Sequence, residues 1–311
     1  MAAVETHPVT AELVRTRLRG KRVDVAGTIF KSLLLVALTL SVLVLAVLLF
    51  DVVTGSASVF SERAGDFLTG TLGSQPDGSG LAQGLRGTFW IGVFVVVFAF
   101  PVGIGAAVYL EEYAPKSRLS RFIDINVRNL AGVPSVVYGI LGLAIFVGSL
   151  RSFTGGATVI SAGITLAILV LPIIIITSAE AIRAVPTGIR EAGFGVGATR
   201  WEVIRSHVLP YAAPGILTGT VLALARALGE AAPLILVGAV TGFMSGGTEY
   251  GPGALDERFT ALPIIIATWS SRPANQGWPE LTAAAIVVLL LVVLIANAAA
   301  VLLRNRYETK R

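Results

Sequence analysis

The chain contains no cysteine and two histidines, His7 and His207, among its 311 residues. No disulfide framework or thiolate chemistry is available to it, and a metal site built from histidine and cysteine is excluded on ligand count. Charge is also scarce. Charged residues make up 14% of the chain, about half of the roughly 25% usual in a soluble domain. There is no G-x-x-x-x-G-K-[ST] loop to cradle a nucleotide triphosphate and no G-x-S-x-G nucleophile elbow. Ser-His or Cys-His catalysis would rest on His207 alone, so an intramembrane enzyme lacks a nucleophile–base set. What remains is 54% hydrophobic with a mean hydropathy of +0.80. A helix needs about 20 apolar residues to cross hydrocarbon about 30 Å thick. The chain is long enough for several such helices, and the composition is that of a polytopic, all-α membrane protein.

Six apolar runs are long enough to cross: Ser32–Phe50, Thr88–Leu110, Asn129–Leu150, Thr158–Ile182, Ala212–Val240 and Leu281–Leu303. The first follows a basic tail and exceeds the 7–15 residues of a secretory signal, so it reads as a retained helix. Residues 1–28 form an N-terminal tail, 29–53 the first span, 54–83 a Gly- and Ser-rich connection with turn signals such as "PDGSG", and 306–311 a short tail. "FTALPIIIATW", Phe259–Trp269, is too short to span and reads as a re-entrant or interfacial segment, with Trp269 and Trp278 as interface anchors.

The net charge of +5 does not imply nucleic acid, because the basic residues sit in short clusters beside apolar runs. With six spans, one side holds 18 Lys and Arg, the other holds 5, and Arg226 lies inside a span. The positive-inside rule therefore places both termini in the cytoplasm. The paired Glu111 and Glu112, flanked by Tyr109 and Tyr113 at a span end, read as an interface cluster on that side.

Two features stand out. The connection at 183–211 is long: "RAVPTGIREAGFGVGATRWEVIRSHVLPY". One helix fits from Pro186 through Glu191, and "GFGVG" breaks it. A second opens with the capping-box spacing Thr199–Glu202, places Trp201, Ile204 and Val208 on one face, and ends at Pro210. The pair either rests on lipid or docks a partner. The second feature is "LARALGEAAP", which places Arg226 and Glu230 in the fifth run. Arg226 falls about 20 Å into it, where a charge costs at least about 2.5–3.5 kcal/mol. Such a pair is a structural tie between helices or part of a solute path. Gly215 and Gly219 offer a small face for close packing.

"EAGFGVGATRWEVIRSHVLP" resembles the EAA motif of ABC-importer permeases. Glu191, Ala192, Gly197, Leu209 and Pro210 match it; Gly193 replaces a small residue and His207 a usual isoleucine. "NLAGVPSVVYGILGLAIF", "AIRAVP", "LARALGEAAPLILVG" and "FTALPIIIATWSSRP" narrow the resemblance to the permeases of Pst-type phosphate importers, with the last two similar to the A-type subunit. It covers residues 84–305.

The resemblance implies a type I ABC importer permease fold in a bacterial inner or plasma membrane. It implies a second permease as partner, a cytoplasmic ATPase dimer docked on the 183–211 loop through Glu191, Ala192, Gly193, Gly197, Trp201, Leu209 and Pro210, and an external phosphate-binding protein. No cofactor is expected on this chain, ATP being used by the partner. The expected substrate path includes Arg226, Glu230 and Arg183, guanidinium matching phosphate geometry. A permease for sulfate or molybdate, and a stand-alone channel or secondary transporter, are the competing readings.

Overall fold

The computed structural model describes residues 25–115, 117–240 and 250–308. The tails at 1–24 and 309–311, with most of their basic residues, lie outside the described residues. The described chain is helical. In hydrocarbon every backbone N–H and C=O must be satisfied within its own segment, which an apolar run achieves as a helix. Two units divide the chain, up to Asp51 and from Val52 onward. The described residues of the first belong to helix α1, Val25–Gly55, in which no residue is buried.

The second unit is a bundle. Helix α2 covers Ala57–Thr69, α3 Ala82–Tyr113, α4 Arg118–Ala131, α5 Ser135–Ser149, α6 Val159–Arg183, α7 Thr187–Gly195, α8 Arg200–Gly229, α9 Ala232–Val237, α10 Leu262–Trp269 and α11 Trp278–Glu308. α6 is the axis. It packs against α3, α4, α5 and α8, and its buried residues include Ser161, Ala162, Gly163, Thr165, Ser178 and Ala179 beside larger aliphatics. Lipid is as apolar as leucine, so helices associate in membranes where small residues let backbones approach. A Cβ on Gly215 would stand 2.7 Å from that of Ala181, and one on Gly219 would collide with Thr177. The small face expected on α8 therefore packs against α6. Gly139 of α5 approaches α9 as tightly, its Cβ position lying 2.7 Å from Pro233 Cα.

Several expectations are corrected. The third apolar run is not one straight helix: the chain bends by 99° between α4 and α5. Pro134 sits at the bend, and the residue before a proline avoids helical geometry. α5 alone is about 22 Å long, short of the hydrocarbon thickness. Five helices are long and apolar enough to cross, or six if the bent pair counts as one. The stretch after α1 is not only turns but carries α2, whose Phe67 is fully buried. Trp269 and Trp278 are not interface anchors. They are 3% and 1% exposed, pack at 5.7 Å between ring centroids, and join Phe67 in a core that covers α10.

The 183–211 loop also differs in its boundaries. Its first helix runs on to Gly195, and the turn comes at Gly197, whose φ of +82° suits glycine. The capping box forms: Thr199 Oγ1 accepts from the Glu202 N–H while the Glu202 carboxylate accepts from the Thr199 N–H at 2.7 Å. Pro210 does not end the helix that follows. A π-helical turn, Ile204–Val208, precedes it, and the Leu209 N–H reaches back to the Ile204 carbonyl. The wider turn makes room for the proline ring, which in an α-helix would clash with the carbonyl four residues earlier. The amphipathic helix of the loop and the fifth span are thus one helix of 30 residues, α8. It ends earlier than the apolar run, at Gly229, and Glu230 is extended with φ −80° and ψ 122°.

Candidate functional site

Arg226 lies in the last turn of α8, where the free carbonyls of the helix end favour a cation by a few tenths of a kcal/mol. Its Nε donates to Glu230 Oε1 at 3.3 Å, the carboxylate standing just past the helix end. The side chains are 40% and 20% exposed. Arg226 continues an exposed stripe on α8 through Thr218, Leu222 and Gly229. Its depth is fixed by its neighbours. Leu224 and Leu228 line an apolar groove of about 290 Å³ with Val96 and Val97 of α3 and Val292 and Ala296 of α11. All four partners lie near the middle of helices long enough to cross. Glu230 engages one nitrogen of the guanidinium, and no described residue accepts a hydrogen bond from its two terminal nitrogens. Those nitrogens are the ones that form the bidentate fork to an oxyanion.

Arg183 is elsewhere, at the C-terminal end of α6, whereas the packing of Gly215 on Ala181 and of Gly219 on Thr177 sets Arg226 level with the middle of that helix. Its Nε donates to Glu111 Oε2 at 3.2 Å and a terminal nitrogen donates to Glu111 Oε1. It faces a polar cavity of about 530 Å³ lined also by Ser117, Arg118, Ser120, Arg121 and Asp124. The structure therefore does not bring Arg183 to Arg226 and Glu230; they form two separate charged places.

The loop residues divide into a buried hinge and an exposed tip. Gly193 is buried against Val203, whose Cγ2 would lie 2.7 Å from a Cβ there, so the small residue of the motif is the point where α7 crosses α8. Val203 and Val208 seat the loop on Ala107, Ile182 and Val185, and Ile204 is buried as well. Trp201 does not join them as expected. It is 53% exposed, because Val203 takes the inner position ahead of the π turn. Glu191, Ala192, Gly197, His207 and Pro210 are exposed as well, and Leu209 is partly so. Phe194 and Val196, at 49% and 85% exposed, complete an apolar tip with Trp201. Sequence reading passed over both, although apolar residues between glycines in a polar loop were a signal. It also passed over Arg190, which is nearly saturated: Nε and Nη2 donate to Glu112 Oε1 at 3.0 and 2.7 Å, Nη2 to the Ile182 carbonyl at 2.9 Å and Nη1 to the Val185 carbonyl at 2.8 Å.

Among the described residues no group of three or more His, Cys, Asp or Glu is placed to hold a metal ion. The fold is that of a multi-span membrane subunit with an exposed, apolar-tipped loop built onto a charge-bearing span. The family described as "Binding-protein-dependent transport system inner membrane component" matches residues 99–309, and the chain belongs to that family. It is 33% identical to the phosphate transport system permease protein PstA of Xylella fastidiosa (strain Temecula1 / ATCC 700964) over 73% of this chain and 76% of that one. It is 35% identical to PstC 2 of Mycobacterium tuberculosis (strain ATCC 25618 / H37Rv) over 63% and 69%. It spans 64% of the probable ABC transporter permease protein YqgI of Bacillus subtilis (strain 168), at 33% identity. A solved bacterial alginate ABC transporter aligns with a TM-score of 0.60 and 15% identity, over 89% of this chain and 95% of that chain. The fold is thus that of ABC importer membrane subunits.

Proposed function

We propose that this chain is a permease subunit of an ATP-driven importer of inorganic phosphate, lying in a bacterial inner membrane with the 183–211 loop and both termini in the cytoplasm. Relatives of both Pst permease types support the substrate. The stripe of α8 carrying Arg226 faces a second permease, so the path runs along that seam. An ATPase dimer takes the Phe194–Val196–Trp201 tip and the Glu191–Pro210 motif into a groove, and an external binding protein delivers phosphate. ATP is the partner's substrate, and no cofactor is needed here.

The observation that carries the reading is the half-engaged guanidinium at mid-span. Glu230 holds Arg226 in an empty path, offsetting a charge in a poor solvent. An arriving phosphate meets the two terminal nitrogens, and the carboxylate yields as the anion takes its place. Arg183, on its polar cavity, is a second station on the cytoplasmic side with the same arginine–glutamate arrangement. Uptake of radiolabelled phosphate by proteoliposomes holding the assembled complex tests this: Arg226→Gln is expected to lose uptake while the complex still forms, and wild-type uptake by that variant would sink the reading.

A further inference from the structure

The stretch "YLEEY", Tyr109–Tyr113, ends α3 as a π-helical turn. Three arginines from successive parts of the docking loop converge on it. Arg183, where α6 enters the loop, pairs with Glu111. Arg190, within α7, pairs with Glu112 at 2.7 Å, the side chains being 21% and 9% exposed. Arg200, the first residue of α8, stands over the Tyr113 ring at 5.3 Å. In an α-helix adjacent glutamates diverge by about 100°, and a π turn narrows that angle. The widened turn lets Glu111 and Glu112 meet separate arginines on one side. α3 then runs as a helix of 32 residues to the groove where Val96 and Val97 flank Leu224 and Leu228, the neighbours of Arg226.

We propose that Glu112 and Arg190 are positioning residues of a second lever, through which the docking loop moves α3 at the same time as it moves α8. The first lever is covalent, since the docking segment and Arg226 share α8. The second is this largely buried ion pair, which makes the end of α3 follow α7. The two walls of the groove at the level of Arg226, on the opposite face of α8, are then driven together. A largely buried, multiply hydrogen-bonded pair transmits displacement because separating it leaves two poorly compensated charges.

The inference rests on the reading that the loop docks an ATPase, and the experiment separates the two. The complete complex is reconstituted, and phosphate carried per ATP hydrolysed is measured with inorganic phosphate as the probe. Failure of the wild-type chain to recover an ATPase would refute the docking reading itself. With the ATPase bound, Glu112→Gln is expected to keep the ATPase in normal stoichiometry and to lower the phosphate-to-ATP ratio by at least about fivefold, the low end of common coupling strengths. Glu112→Asp is expected to restore most of it. An unchanged ratio in Glu112→Gln, or transport lost only in proportion to lost ATPase, overturns the lever. If Glu112→Gln does not fold, Arg200→Gln removes the exposed contact to Tyr113. A ratio lowered about twofold then supports the lever, and a wild-type ratio overturns it.

Discussion

Arg226 and Arg190 each pair with a glutamate, yet they are different devices. Arg190 donates four hydrogen bonds, to Glu112 and to the carbonyls of Ile182 and Val185, and its partner is 78 residues away. Among the described residues Arg226 donates one, at 3.3 Å, to a glutamate four residues on. The first guanidinium has spent its donors on the protein. The second keeps its fork free of the described residues, and its side chain is nearly twice as exposed. A structural arginine is satisfied by what surrounds it; an arginine kept for a ligand is held in place by a single weak contact.

The comparison can be broken by exchanging the consequences. Arg226→Gln is expected to cut phosphate uptake on the order of a hundredfold, the loss of a charge-assisted hydrogen-bond pair, with the melting temperature of the purified complex nearly unchanged. A large fall in melting temperature would make Arg226 structural. Arg190→Gln is expected to do the opposite first: the nearly buried Glu112 loses its partner, stability falls by on the order of 3 kcal/mol, and thermal unfolding shows it before transport does. Glu230→Gln should cost uptake about tenfold, since the amide still positions Arg226 but offsets no charge. Thr199→Ala opens the capping box and is expected to cost about 1 kcal/mol of local helix stability, seen as faster hydrogen exchange at 199–203 and a few-fold weaker ATPase docking.

Much of this was legible before any coordinates. The apolar runs marked most of the spans, because the bilayer imposes a length on them. The capping box was readable from Thr199 and Glu202, since a local hydrogen-bond pattern depends on residues three apart. The pair Arg226–Glu230 was legible for the same reason. Pro210 misled because its effect depends on the turn before it, and nothing in "IRSHV" announces a π turn. Trp269 and Trp278 misled because an aromatic near a span end suits either an interface or a core. Which one it joins is decided by Phe67, about 200 residues earlier in the chain.

The sequence by itself determined that the chain lives in a membrane, where most of its spans lie, and that it carries an EAA-like loop motif and a charge it must shelter. These follow from local composition and short spacings. Only the tertiary structure decided that α8 joins motif and charge in one helix. It alone decided that "YLEEY" gathers three arginines from the loop, and that Arg190 is spent while Arg226 is not. Donor saturation is a property of what surrounds a side chain, and residues 70 to 80 positions apart become surroundings only when the helices pack.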